Sequence, residues 1–254
     1  MGLAGQVKRQ MANTGTQYRH YLYLDAVRIM AAVAAALHLL GFLDGGWLAI
    51  CTLMVLAGYL AARNALSQEK YSVWRGWLRT ILGIYLPVAA VACLTVLAAK
   101  QIPNIIWLDL KPETLSVLEA INNYWQAGAG RDAFADLFKT PFTPMWAAAM
   151  LVQLAVLFPL AFVIFKAMGE KMGRAVPCWV LAAVSAMSFV ALGILGKANF
   201  MRGYYSTFAR LGAPLLGMTA AFIQHYYGGF MPKFAKTGRS APLSSASTQR
   251  HGYI

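Results

Sequence analysis

The chain has 254 residues, of which 59% are hydrophobic and only 12% charged, and 22 Lys and Arg against 9 Asp and Glu give a formal net charge of +13. Soluble proteins carry roughly a quarter charged residues, so this composition, with a mean hydropathy of +0.54, excludes an ordinary water-soluble domain. So basic a chain invites a nucleic-acid reading, but the cations lie in short loops and tails between apolar runs, where membrane topology puts them, and no nucleic-acid partner is expected.

A helix needs roughly 20 apolar residues to cross a bilayer. Six runs approach or reach that length: 22–43, 47–63, 77–99, 144–167, 175–196 and 204–227. Ahead of the first lies an arm, 1–20, with Lys8, Arg9 and Arg19. The first run is longer than the apolar core of a signal peptide, and Asp25 and Arg28 interrupt its start, so it reads as a retained helix. His38 lies deep within it. Ionisable groups inside a membrane helix are costly and mark a pathway or a reaction.

The second run is short and contains Gly58, which suits tilt or close helix packing. Arg63, Lys70, Arg75 and Arg79 follow it, against Glu69. After the third run, the segment 100–143 is too long for an idle connection. Pro112 near a first turn and apolar residues three and four apart predict a helix over PETLSVLEAINNYW, broken at AGAGRD, with AFADLF as a further turn or two. The segment reads as an outer cap, resting at the interface through Trp107, Tyr124 and Trp125. Lys166, Lys171 and Arg174 follow the fourth run, and Lys197 and Arg202 separate the fifth and sixth. The tail 228–254 is polar, rich in Gly, Ser and Pro, basic, and predicted to be disordered.

The charge asymmetry of the loops puts both termini in the cytoplasm and the 100–143 segment outside. The expected fold is therefore an all-α polytopic membrane bundle of six spans, with 21–227 as its transmembrane domain. Cys51, Cys93 and Cys178 fall in apolar runs without CxxC spacing and read as small core residues. No internal repeat, glycine-rich phosphate loop, nucleophile elbow or metal-ligand spacing is present, and no metal is expected.

Two readings of His38 stand side by side. A neutral imidazole near the outer end of the first span could accept a proton from a reacting group. It could equally be a packed histidine bonded to a neighbouring helix. Arg28 could pair with Asp25 or contact a bound ligand, or it could be a snorkelling interfacial cation.

In order along the chain, LDAVRIMAAVAAALH, MVLAGYL, WRGWLRTILGIYLP, PMWAAAMLVQLAVLFPL and YYSTFARLGAPLLGMTAAF resemble landmarks of the acyltransferase-3 family of integral membrane O-acyltransferases. The resemblance covers residues 21 to 225. It implies that His38 is the catalytic base with Asp25 and Arg28, that Arg75 and Arg79 hold an acyl-CoA donor, and that Trp146, Gln153 and Arg210 line the cavity. Several departures stand out. His38 follows Arg28 after nine residues where the family has ten, which turns it about 80° off the arginine's face. Ala57 replaces a serine before Gly58. Gly83 stands where an arginine is expected, and Pro87 comes one place late. Leu151 occupies the position of the family glutamate, with Gln153, Phe158 and Pro159 in register. Thr207, Arg210 and Gly217 match the last landmark, but its aspartate is replaced in the Gly212/Ala213 region. Family members also have more spans than six.

By resemblance the chain is expected to move an acyl group, acetyl above all, from acyl-CoA (acetyl-CoA) to a hydroxyl of a cell-surface glycan or lipid-linked acceptor. It would do so from a bacterial cytoplasmic (inner) membrane, surrounded by membrane lipid. The departures favour an alternative, a degenerate member serving as membrane scaffold or partner subunit. A six-span chain also leaves room for a homo-oligomer or a partner membrane subunit that completes the bundle.

Overall fold

The computed structural model describes residues 22–43, 45–99, 101, 110–130 and 142–228. The N-terminal arm, Trp107, the AFADLF stretch and the tail beyond 228 lie outside the described residues. The protein is an integral membrane protein with an all-α fold, and no strand occurs among the described residues. Helix α1 spans Leu22–Leu39 and α2 spans Trp47–Leu66. Next come α3 (Val73–Thr80), a π-helical turn (Ile81–Tyr85) and α4 (Leu86–Ala99), which together form one continuous helix. The cap helices are α5 (Leu110–Leu118) and α6 (Asn122–Gly128), and the long helices α7 (Met145–Met172) and α8 (Ala175–Ala198) follow. The chain then turns through α9 (Phe200–Tyr205), α10 (Thr207–Arg210) and α11 (Gly212–Tyr227).

Among the described residues, four helices are long and apolar enough to cross a membrane: Trp47–Leu66, Val73–Ala99, Met145–Met172 and Ala175–Ala198. The first expected span appears as the 18-residue α1 with Asp25 in its first turn. The sixth is not one helix but three pieces. Ser206 takes extended backbone and caps α10 by accepting from the Ala209 N–H at 3.3 Å. Pro214 can sit near the start of α11 because its missing N–H falls where a helix leaves donors unused. Polar backbone exposed by such breaks needs partners at membrane depth, and α8 supplies them. Ser188 donates to the Phe208 carbonyl (2.7 Å) and accepts from the Gly212 N–H (2.7 Å), while Ser185 donates to the Gly212 carbonyl (2.7 Å).

Helix α2 buries Ile50, Met54, Gly58, Ala62 and Ala65, a stripe at helical spacing whose small residues admit another helix. That helix is α11. A side chain on Gly58 would collide with the Pro214 carbonyl, and one on Gly217 with the Val55 carbonyl. Tyr59 donates its hydroxyl to the Gln224 side chain across the same seam. Two cores flank this crossing. Met54, Trp146, Met150, Leu154, Tyr204 and Tyr205 fill one, and Ala62, Phe162, Leu181, Leu215, Met218 and Phe222 the other. Helix α1 packs on α2, and α3 packs on α7.

The cap is helical as expected, with Pro112 in the first turn of α5. It breaks earlier than AGAGRD, at Ala120, whose φ of 55° turns the chain between α5 and α6. Phe142 and Val117 pack beneath it against Ala92 of α4.

Candidate functional site

Proline at position 159 sits inside α7, where it lacks the N–H that would bond the Ala155 carbonyl and bends the helix. Pro87 likewise lacks the N–H that would bond the Gly83 carbonyl, and the π turn at Ile81–Tyr85 ends two residues before it. A π turn holds one residue more than an α turn.

A cavity of about 370 Å³ lies between α2, α3 with its π turn, and α7, with Pro159 of α7, Gly83 and Ile84 of the π turn, and Pro214 of α11 in its lining. One end is polar, bounded by Asn64, Gln68, Tyr71, Ser72 and the guanidinium-bearing Arg75 and Arg79. The other is apolar, closed by Met54, Ile84, Leu151 and Leu154. Gly83, where a third arginine was expected, leaves open space within 4 Å of a modest Cβ. Tyr71 has its phenol pKa pushed up by burial, against the opposing pull of the Arg79 charge, so at neutral pH it offers an O–H donor beside the arginines. The cavity thus combines two permanent cations and a hydroxyl donor at one end with an apolar interior. That pattern suits an anionic amphiphile.

Trp146, Gln153 and Arg210, expected to line a polar cavity together with Arg28 and His38, are not among the residues bounding this one, and neither are Arg28 and His38. The first three gather in a separate knot nearer the cap. Arg210 is 4% exposed. Its Nε donates to the Tyr204 carbonyl (2.7 Å), its Nη1 reaches Cys51 Sγ (3.6 Å), and its guanidinium carbon stands 4.5 Å from the Tyr204 ring and 5.3 Å from Trp146. Aromatic faces and a carbonyl thus do for this charge what a carboxylate would do elsewhere. Gln153 belongs to a closed ring of side chains. Its Nε2 donates to Asn123 Oδ1 (2.9 Å), Asn123 Nδ2 donates to Thr207 Oγ1 (2.9 Å), and Thr207 donates back to Gln153 Oε1 (2.5 Å). The ring ties the cap to α7 and α10. Close by, the fully buried Glu113 accepts from Gln126 Nε2 at 2.7 Å.

On α1 the expected residues lie at its two ends. Arg28 pairs with Asp25 at 3.4 Å with both side chains partly exposed, an arrangement of modest strength. His38 is ten residues further on, and α1 is α-helical throughout, without the tightening that would restore its register with Arg28. The Leu43 carbonyl lies 3.0 Å from His38 Nδ1. A carbonyl only accepts, so Nδ1 is the donor in this bond. Gly46 lets α2 start directly over the imidazole, since a side chain there would overlap the His38 root.

Tyr204, Asn123, Glu113, Trp77 and Thr80 were not singled out by the sequence. NNYWQ and WRGWLRT held the signal, polar residues at helical spacing beside apolar ones, but nothing local says which polar residue is buried.

No family profile matches the chain, and no solved structure matches it. Among characterised proteins it is similar to O-acetyltransferase OatA of Staphylococcus aureus, strain NCTC 8325 / PS 47, at 24% identity over 211 residues, covering 79% of this chain and 34% of that protein. The same values hold for OatA of strain COL. A second protein of strain COL, whose name carries O-acetyltransferase as a provisional assignment, is 25% identical over 222 residues, covering 82% of this chain and 36% of its own length. The chain therefore spans little more than a third of the length of these relatives.

Proposed function

We propose that this chain is a membrane O-acyltransferase that takes an acyl group, acetyl first of all, from acyl-CoA at the cytoplasmic face and delivers it to a hydroxyl of a cell-envelope glycan or lipid-linked acceptor. The observation that carries this reading is the cavity of about 370 Å³ with Arg75 and Arg79 at its polar end and an apolar far end. A CoA thioester has the matching halves. Its phosphates suit a guanidinium pair, and its slender acyl arm suits an apolar slot. The loop charges assign the arginine end to the cytoplasm, where acyl-CoA is made, and the bacterial inner membrane is the setting that fits. Similarity to OatA supports the same chemistry.

In the reaction, the acceptor hydroxyl attacks the thioester carbonyl, a new C–O bond forms, and the C–S bond breaks. The hydroxyl proton passes to Nε2 of His38, and the CoA thiolate leaves to take up a proton in water. A base so placed contributes about two to four orders of magnitude. His38 stands apart from the cavity lining, so acceptor and donor are expected to approach from different sides.

A second reading, a degenerate relative acting as scaffold, is favoured by one observation. Leu151, at the position where the resemblance expects a glutamate, is part of the apolar end of the cavity. Labelled acetyl transfer to envelope material, normalised to the amount of membrane-inserted protein, tests both. The enzyme reading expects His38→Ala to lower specific transfer about 100-fold or more at unchanged abundance. Equal specific transfer in His38→Ala would remove the histidine from the chemistry, and no transfer by the unaltered chain would favour the scaffold.

A further inference from the structure

We propose that Trp77 and Thr80 are positioning residues that set the arginine pair of the cavity by clasping the proline kink of α7; this rests on the donor-binding reading above. Pro159 leaves the Ala155 carbonyl without its helical donor and spoils the geometry around the next one. Both carbonyls find donors on α3. The Trp77 indole Nε1 donates to the Val156 carbonyl at 2.9 Å, and Thr80 Oγ1 shares its one proton between the Gly76 carbonyl of its own helix (3.1 Å) and, more weakly, the Ala155 carbonyl (3.4 Å). By distance, the indole bond is the stronger of the two. Between them, Gly76 seats the proline ring, since a Cβ there would come within 2.9 Å of Pro159 Cγ.

The clasp fixes how α3 is rotated. Positions 76, 77 and 80 share one flank of the helix, and Arg75 and Arg79 share another, roughly a third of a turn away. A rotation of α3 on its bed would carry both arginines away from the cavity rim together. The kink is therefore a docking feature for the arginine helix, besides a bend. An indole near a membrane surface commonly spends its N–H on lipid headgroups. Here that N–H is spent on a protein carbonyl instead.

The test compares acetyl-CoA with acetyl-pantetheine, a thioester lacking the phosphates, as ligands of the full chain in lipid nanodiscs. Trp77→Phe keeps the ring and removes the N–H. The expected result is a several-fold loss of acetyl-CoA affinity, up to about tenfold for one hydrogen bond, with acetyl-pantetheine affinity and thermal stability little changed. General loosening of the fold would weaken both ligands alike. A wild-type preference for acetyl-CoA that persists in full in Trp77→Phe overturns the clasp. Absence of any wild-type preference overturns the donor reading, and the clasp with it. If Trp77→Phe does not insert, Thr80→Val, which removes the second donor at nearly constant shape, is read the same way with a smaller expected shift.

Discussion

Leu151 and Gln153 lie two positions apart on α7, about 200° round the helix, and serve different surroundings. Leu151 closes the apolar end of the cavity, whereas Gln153 is locked in a ring with Asn123 and Thr207. Gln153 therefore does not stand in for the glutamate that the resemblance expects at 151. Leu151→Glu separates the two readings of the protein. In a working site the new carboxylate faces the cavity that holds Arg79 and Thr80, and transfer per molecule is expected to rise. In a scaffold it is a half-buried charge with no task, which destabilises the fold, and the expected outcome is less folded protein with no transfer gained. Counting along the sequence was enough to put 151 and 153 on opposite sides and His38 out of register with Arg28. It could not find the partner of Gln153, because Asn123 comes from another helix 30 residues away and only packing brings them together.

At the scale of helices, the apolar runs marked where the long segments fall, and the small-residue stripe of α2 was visible in Gly58. What that glycine meets was not. It packs on the backbone of α11, which also offers Gly217 to the backbone of α2, so the two helices approach as closely as glycine allows. Gly58→Val forces them apart. Overpacking of this kind costs about 1–3 kcal/mol, and here the obstacle is backbone, which gives less readily than a side chain. A lower melting temperature in detergent is expected, together with loss of the Tyr59–Gln224 contact; unchanged stability would mean that the crossing is looser than described. The break in the sixth run escaped the sequence for a related reason. Hydropathy reports how apolar a segment is and says nothing of donors on a neighbour, and it is Ser185 and Ser188 of α8 that make broken backbone tolerable there. The π turn before Pro87 is likewise a backbone adjustment that leaves the apolar pattern intact.

Over the whole molecule, the expected functional residues occupy three places. The arginine pair belongs to the cavity, Trp146, Gln153 and Arg210 to the knot under the cap, and Asp25, Arg28 and His38 to the two ends of α1. Met54 and Leu154 belong both to the apolar end of the cavity and to the core that contains Trp146 and Tyr204. An apolar plug thus separates the arginine end from the buried Arg210. An acyl group crossing the bilayer would have to pass that plug, and the donor's phosphates would stay behind with Arg75 and Arg79. Everything in this picture depends on the cavity being a CoA site. The most direct measurement is acetyl-CoA binding to the full chain in nanodiscs, for the unaltered protein, for Arg75→Gln and Arg79→Gln singly, and for the pair. A charge-assisted hydrogen bond is worth about 1.5–3 kcal/mol, so each substitution is expected to raise Kd about tenfold or more and the double substitution about a hundredfold, with the effect shrinking as salt rises. Binding of equal strength in all four proteins, or no binding by the unaltered chain, would contradict it.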